Sequence, residues 1–176
     1  DDLTITNTIT MAKASVSVVI LDQSGEYSGK GFELQTRYNI DGRHSYDTAL
    51  NTALYKELAE KLELVIQDGA AINAGTYTIT LKDGYRDLQN YEVTLQTGTL
   101  TITPKQLTFT WPTVTGGVYQ GENPGVTLTG NEFEGFVDGE GYGNIESLIK
   151  IVYSGTTNAG VKYSDSKVPT EAGSYT

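Results

Sequence analysis

Few side chains in this sequence combine the types and the spacing that catalysis or metal binding requires. The 176 residues include one histidine, His44, and no cysteine. A chain without cysteine has no thiol nucleophile, disulfide or thiolate ligand, and a lone imidazole has no second imidazole with which to hold a metal. Among the 22 acidic residues, no local motif marks an acid and a nucleophile for glycoside cleavage. The sequence therefore predicts a non-catalytic protein without a cofactor, in which His44 is a loop residue.

Acidic residues beside glycines are the candidates for cation binding. Asp138 and Glu140 lie in FVDGEGYG, and a glycine-bent loop can offer calcium both carboxylate and carbonyl oxygens. The spaced Asp/Asn ladder of a dedicated calcium loop is missing there, so a plain turn is the first interpretation and calcium the second. Asp83 and Asp87 in KDGYRD suggest the same chemistry, but a turn at Asp83-Gly84 between two strands explains that stretch directly.

Tyr142, Tyr153 and Tyr163 are the candidates for ligand binding, together with Asp138 and Glu140. A flat tyrosine ring can stack on a sugar face while its hydroxyl binds an outer hydroxyl of the sugar. Tyrosine at alternating positions is also common in the packed face of a sheet. Both interpretations stay open from the sequence.

Charge and hydropathy limit the partners. The formal net charge is -10, which argues against duplex nucleic acid or an anionic membrane as the main partner. No apolar run reaches the roughly 18 residues that a membrane span needs, and the start does not resemble a signal peptide. We expect this piece to be soluble as it stands, with any targeting or anchoring segments outside it.

Apolar side chains at every second position predict strands with one dry face, typical of a largely antiparallel sheet. Gly98 in TGT predicts a tight turn, so residues 91–103 are a candidate hairpin. The alternating positions are Phe32, Leu34, Tyr38 and Ile40, then Tyr77, Ile79 and Leu81, then Tyr91, Val93 and Leu95.

One segment has helical spacing instead. Leucines stand four apart at positions 50, 54, 58 and 62, after Asp47 as a possible N-cap, which predicts a helix near residues 48–62. A helix on a one-sided sheet, after a hairpin and before further strands, is the order of a β-grasp domain. The predicted fold is therefore mainly β, with α+β character in the first repeat, and an immunoglobulin-like sandwich is the alternative.

Internal repeats organise the chain. AGTYT at residues 74–78 recurs as AGSYT at 172–176, YSG at 27–29 recurs as YQG at 119–121, and LELVIQDG at 62–69 parallels IKIVYSGT at 149–156. Two copies of one module with a period of roughly 90 to 100 residues are the simplest interpretation. After AGSYT nothing corresponds to residues 81–103 of the first copy, so we expect the second copy to be truncated. Completion by a strand from elsewhere, such as residues 1–11 of a neighbouring molecule, is the alternative.

The stretch QTGTLTITPKQLTFTW suggests where the copies meet. Leu100 and Ile102 fall on even numbers but Leu107, Phe109 and Trp111 on odd ones, so an unbroken strand would present its halves to opposite faces. Ile9 and Met11 precede the same change of phase. We interpret the change as a hand-over between two cores, which predicts a closing strand of a preceding repeat at 1–13, a first repeat at 14–104 and a second at 105–176.

Four segments of the sequence carry a resemblance to a known family. They are NAGTYTITL, NYEVTLQTGTLTITPKQLTFTW, VYQGENPGVTLTGNEFEGFVDGEG and IVYSGTTNAGVKYSDSKVPTEAGSYT. Together they resemble the MBG-type repeats of cell-surface proteins from lactic acid bacteria and related Gram-positive species. The first repeat lacks the GFVDGEG element. The resemblance implies a non-catalytic adhesin repeat, extracellular and attached to the cell wall through segments outside this one, which acts as a stalk beside neighbouring repeats. Binding of host mucin, other glycans or surface proteins is the alternative, and an accessory repeat of an exported polysaccharide-processing enzyme is a third possibility.

Overall fold

The computed structural model describes residues 6–42, 61–86, 88–123 and 125–176 and confirms the prediction of a mainly β fold. The chain divides into two compact units, unit 1 (Asp1–Pro104) and unit 2 (Lys105–Thr176). Within the described residues the strands are β1 (Ala14–Ile20), β2 (Gln23–Glu26), β3 (Tyr38–Asp41), β4 (Leu64–Ile66), β5 (Gly75–Leu81), β6 (Tyr91–Gln96), β7 (Gly98–Thr103), β8 (Thr108–Phe109), β9 (Phe133–Glu134), β10 (Tyr153–Thr157), β11 (Lys162–Asp165) and β12 (Gly173–Tyr175), and the helices are α1 (Tyr142–Ile145) and a 3-10 turn (Glu146–Leu148).

The described residues of unit 1 form two sheets, with strand orders β3-β1-β6 and β2-β7-β5-β4. The strand β1 is parallel to β6, and β2 is parallel to β7. Both pairings have the same register, because Ala14 lies opposite Tyr91 and Gln23 lies opposite Leu100, a displacement of 77 residues in each case. We call β1–β2 with β6–β7 the long parallel pair, since its two members pass from one sheet into the other side by side.

The hairpin predicted for residues 91–103 is therefore wrong. The strands β6 and β7 do not pair with each other but continue in one direction, each beside its parallel partner. The expectation of a largely antiparallel sheet needs the same correction, because the two sheets of unit 1 are mixed. An immunoglobulin-like sandwich is built from antiparallel sheets, so the long parallel pair departs from that alternative prediction. The β-grasp-like arrangement stays a prediction, because its helix lies almost entirely outside the described residues.

Gly98 and Asp22 form the corner where the long parallel pair changes sheets. A Cβ on Gly98 would lie 2.8 Å from Ile20 Cγ2 and 3.0 Å from the Ile20 carbonyl oxygen, so only glycine fits without displacement. Beside it, the Thr99 N–H donates to Asp22 Oδ1 at 2.7 Å. Gly98 thus serves close packing between two strands rather than a tight turn.

The core of unit 1 is formed by apolar side chains from one face of each long strand. Leu100, Ile79 and Val18 are completely buried. Burial follows the predicted alternation in β5 and β6, where Ile79, Leu81, Tyr91 and Val93 are buried. The other buried apolar residues are Val16, Ile20, Leu62, Ala71, Tyr85, Leu88 and Ile102.

Two sequence predictions meet the described residues only in part. The helix predicted near 48–62 lies almost entirely outside them, but Leu62, the last leucine of its stripe, is buried in the core. The strand predicted from Phe32 to Ile40 is shorter than expected, because only β3 forms a ladder there. Phe32 instead donates its backbone N–H to the Ala71 carbonyl at 2.9 Å and packs against the core.

Gln23 is the buried polar side chain among the described residues, and its amide acts as a strand partner. Its Nε2 donates to the Gln35 carbonyl at 2.9 Å, and its Oε1 accepts from the Gln35 N–H at 2.9 Å. One side chain thus satisfies both backbone groups of Gln35.

We expect Gln23→Leu to lower the free energy of unfolding by about 1–2 kcal/mol, because the Gln35 N–H and carbonyl lose their partners. Chemical denaturation followed by circular dichroism measures the change. Gln35→Leu is the matched control, since those bonds use only the Gln35 backbone, and it should stay within about 0.5 kcal/mol of wild type. Equal effects of the two substitutions would contradict the assignment.

Unit 2 is smaller and more open. Its strands β8 and β9 pair with each other, and β10 lies between β11 and β12, antiparallel to both. After Asn144 only the end of α1 and one 3-10 turn are helical. In the described part of unit 2, residues 105–123 and 125–176, every residue is at least partly exposed. Unit 2 therefore has no equivalent of the buried core of unit 1 within those residues.

Candidate functional site

Four aromatic side chains of unit 2 stand in a row. Because β8 and β9 are antiparallel with Phe109 opposite Phe133, the two rings are brought to 4.9 Å between centroids. Trp111 meets Phe109 edge-on at 5.0 Å, and Tyr142 stacks on Phe133 at 5.6 Å. These are the separations at which aromatic pairs attract each other. We call Trp111, Phe109, Phe133 and Tyr142 the aromatic row.

The two ends of the aromatic row differ in exposure. Trp111 is 82% exposed, whereas Tyr142 is half-buried. Gly130, with a φ of +96°, lets the loop pack closely on Tyr142, since a Cβ there would lie 2.7 Å from Tyr142 Cβ. Tyr142 is thus held by its neighbours, and Trp111 offers the free ring. The alternation of Leu107, Phe109 and Trp111 predicts that these residues start a core. That prediction is wrong for Phe109 and Trp111, which are 38% and 82% exposed.

A groove of about 570 Å³ lies elsewhere in unit 2. That volume falls in the range of ligand-binding clefts, roughly 300–1,000 Å³. Residues 114–119, residues 168–172 and the strand β12 line it, with Tyr153 among them. We call it the open groove.

Tyr153 is fixed by a backbone contact. Its hydroxyl accepts a hydrogen bond from the Val126 N–H at 2.8 Å. Gly125 makes this approach possible, because a Cβ at that position would lie 2.9 Å from the Tyr153 hydroxyl and 2.7 Å from Val168 Cγ2. The tyrosine lines the open groove, but one lone pair of its hydroxyl is already used by the protein.

Tyr163 holds a turn. Its hydroxyl donates to the Lys167 carbonyl at 2.8 Å, and its ring meets Tyr175 edge-on at 5.7 Å. Desolvation raises the pKa of Tyr163, and the nearby Asp165 carboxylate and Tyr175 add to the rise. Asp165 in turn accepts from the Lys167 N–H at 3.0 Å, which together with further hydrogen bonds lowers its pKa. Tyr163 and Asp165 thus stabilise the same five-residue turn.

Asp138 and Glu140 lie on an exposed turn that the Glu140 N–H closes by donating to the Val137 carbonyl at 3.0 Å. Between them, Gly139 has a φ of +86°. The described residues contain no group of three or more His, Asp or Glu side chains that could hold a metal ion. Asp83 also lies on an exposed turn, while Asp87 and His44 are outside the described residues.

Taken together, the three predicted tyrosines do not form one surface. Tyr142 belongs to the aromatic row, Tyr153 lines the open groove, and Tyr163 packs on Tyr175, another residue that lines it. Their role in ligand binding stays a prediction. Val114, Val118 and Trp111 are exposed apolar residues that the sequence-based selection missed. The selection from the sequence considered tyrosine as the aromatic residue for ligand binding, so it did not include these three residues.

Glu132 caps the loop before β9. Its Oε2 accepts from the Thr129 N–H at 3.1 Å and the Gly130 N–H at 2.9 Å. Hydrogen bonds from its own backbone N–H and then from these two groups hold the pKa of Glu132 below its ordinary value of 4.5, although desolvation opposes them. A lowered pKa means that the carboxylate supports the folded loop at any pH above 4.5.

We expect this support to be lost as the pH falls from 4.5 through the lower pKa of the folded state. The side-chain carboxyl resonance of Glu132, followed by NMR during an acid titration, should have its midpoint below 4.5. The same chain unfolded in urea is the control and should titrate at the ordinary value. Identical midpoints in the two states would show that the cap does not form.

The described residues define a mainly β protein of two compact units, whose second unit carries the aromatic row and the open groove. No helix among them is long and apolar enough to cross a membrane. No family model and no curated protein sequence matches the chain. Among solved structures, a cell surface adhesin from Lactobacillus reuteri is similar, with 23% identity over 51% of this chain and 95% of that chain and a TM-score of 0.34.

Proposed function

We propose that the chain is a non-catalytic tandem-repeat element of a bacterial cell-surface adhesin, located outside the cell, which acts as a spacer. The observation that carries the proposal is the equivalent place of one motif in both units. AGTYT contains the start of β5, which is antiparallel to β4, the strand at the end of the LELVI segment. AGSYT contains β12, which is antiparallel to β10, the strand that starts at the last residue of the IKIVY segment. Tandem repetition of one structural module is typical of elongated repeat proteins.

A replacement experiment in the full-length surface protein tests the spacer. Deleting residues 1–176 should weaken adhesion of the cells, and an unrelated β-rich repeat pair of similar length inserted at the same place should restore it. A flexible Gly/Ser linker of the same number of residues, inserted at the same place, is the control. It should restore less adhesion, because such a linker is a random coil. Failure of the unrelated pair to restore adhesion would contradict the spacer and favour a specific binding role.

The aromatic row supports glycan binding as a second candidate function. Trp111 is 82% exposed at one end of the row and meets the Phe109 ring edge-on at 5.0 Å. An exposed aromatic face suits stacking on a sugar ring. Mucin-type glycans and cell-wall polysaccharides are the ligands to test first.

A glycan array with the wild-type chain decides between the two functions. If glycans bind to the aromatic row, Trp111→Ala should weaken binding about tenfold, which corresponds to about 1.4 kcal/mol. Leu148→Ala is the matched control, because Leu148 is an exposed apolar residue of unit 2 outside the row. Substitution of Tyr142, Tyr153 or Tyr163 by alanine tests the residues selected from the sequence. An array without any binding leaves the spacer function.

A further inference from the structure

The aromatic row lies in a part of the chain that has no basic side chain. Residues 106–149 include every member of the row and contain no lysine, arginine or histidine. The same residues contain six carboxylates, at positions 122, 132, 134, 138, 140 and 146. A surface of one charge sign attracts ligands of the opposite sign and repels ligands of its own sign. The charges in this part of the chain therefore favour a cationic ligand over an anionic one.

Two of these carboxylates lie beside Tyr142, at the end of the row opposite Trp111. The Glu132 Oε2 accepts from the Gly130 N–H at 2.9 Å, and a Cβ on Gly130 would lie 2.7 Å from Tyr142 Cβ, so Gly130 links the carboxylate to the tyrosine. Glu146 follows Tyr142 by four residues and continues the helical backbone of α1 as its C-cap, with a φ of -50° and a ψ of -45°. Side chains four apart on a helix are neighbours on one face. The aromatic row thus ends next to negative charge.

The rings of the row favour the same sign of charge. The face of an aromatic ring is the negative part of its quadrupole, and tryptophan attracts cations most strongly. Trp111 is 82% exposed and Phe109 is 38% exposed, and the planes of the two rings meet at 79°. A ligand with an apolar face and positive charges therefore has a partner for each, namely the exposed rings for its face and the carboxylates beside Tyr142 for its charge.

We propose that the aromatic row binds glycans built from amino sugars whose amines are free and positively charged, such as oligomers of glucosamine. The proposal rests on glycan binding by the row, the second candidate function above, and names the ligand class. The sugar faces stack on Trp111 and Phe109, and the ammonium groups lie toward Glu132 and Glu146. The same carboxylates repel sialylated and sulfated glycans. An N-acetylated glycan keeps the stacking but loses the charge.

Tryptophan fluorescence tests the ligand class at the site itself, because Trp111 is the single tryptophan of the chain. The wild-type chain is titrated with a glucosamine oligomer and with an N-acetylglucosamine oligomer of equal length, at a mildly acidic pH where the sugar amines are protonated and the carboxylates stay ionised. The glucosamine oligomer should change the Trp111 emission at about tenfold lower concentration than its acetylated form. Sodium chloride at about 1 M should remove most of this difference, because the Debye length falls to about 3 Å.

A matched pair of substitutions at Glu146 tests the contribution of the carboxylates. Glu146→Gln removes one charge from an exposed position and should weaken binding of the glucosamine oligomer about threefold. Glu146→Asp keeps the charge and should bind the oligomer like wild type, and circular dichroism checks that both variants are folded. Neither substitution should alter binding of the N-acetylglucosamine oligomer. Wild-type affinity of Glu146→Gln for the glucosamine oligomer would overturn the proposal.

The titration also separates this proposal from glycan binding in general. Equal affinity for the two oligomers would overturn the preference for positive charge and leave glycan binding by the row standing. No change in Trp111 emission with either oligomer would overturn both. Polylysine with the same number of charges is the control for charge alone and should leave the emission unchanged. A response to polylysine equal to that for the glucosamine oligomer would overturn the proposal, because the row would then recognise a basic protein rather than a sugar.

Discussion

Replacing Leu100 with alanine should lower the free energy of unfolding of unit 1 by about 3–4 kcal/mol. Leu100 is completely buried in β7, between β2 and β5. Truncation removes three carbons from the centre of the core and leaves a cavity that strands on both sides hold open. Urea denaturation followed by far-ultraviolet circular dichroism measures the change.

Ile9→Ala is the matched control for Leu100→Ala, because Ile9 is the sequence counterpart of Leu100 but is 84% exposed. Its effect should not exceed about 0.5 kcal/mol. A loss of less than about 1 kcal/mol for Leu100→Ala would contradict the placement of β7 at the centre of unit 1.

Gly98→Ala should cost about 2–3 kcal/mol, although it adds only one methyl group. The new Cβ would stand 2.8 Å from Ile20 Cγ2, 3.0 Å from the Ile20 oxygen and 3.1 Å from the Leu21 oxygen. Two of those neighbours are backbone carbonyls of the parallel partner strand, so the long parallel pair itself must shift. The same denaturation measurement reports the cost.

Gly31→Ala provides the comparison for Gly98→Ala, because a Cβ on Gly31 would meet nothing within 4 Å. We expect it to be neutral or slightly stabilising, since alanine restricts the unfolded chain more than glycine does. If both glycines tolerate alanine equally, the corner is looser than the distances indicate.

Local patterning predicted the parts of the fold that depend on local chemistry. Burial in β5 and β6 follows the alternation of Ile79, Leu81 and Val93, because side chains of a strand point to opposite faces in turn. The role of Gly98 could not be read in the same way. Its neighbours are Ile20 and Leu21, which are 78 and 77 residues away in sequence. A glycine between two apolar runs has the same sequence pattern in a tight turn and at a place where two strands pack closely, so the pattern alone does not distinguish them.

The candidate site was predictable only as a set of residue types. Sequence reasoning selected Tyr163, but its hydroxyl binds the Lys167 carbonyl and its ring packs on Tyr175. Such contacts depend on how a turn closes, which composition does not show. The exposed ring of Trp111 and the open groove depend on which strands are adjacent in unit 2. Adjacency of strands is a property of the whole sheet and is not encoded in any short stretch.

The common register of the long parallel pair has a mechanical consequence. The chain enters the pair at Ala14 and leaves it at Thr103, and because the two members are parallel these points lie at opposite ends of the pair. Tension applied through the two points therefore loads the interstrand hydrogen bonds in shear, all together, rather than peeling them apart one at a time. A module with this geometry is suited to remain folded under a pulling force applied through these two points.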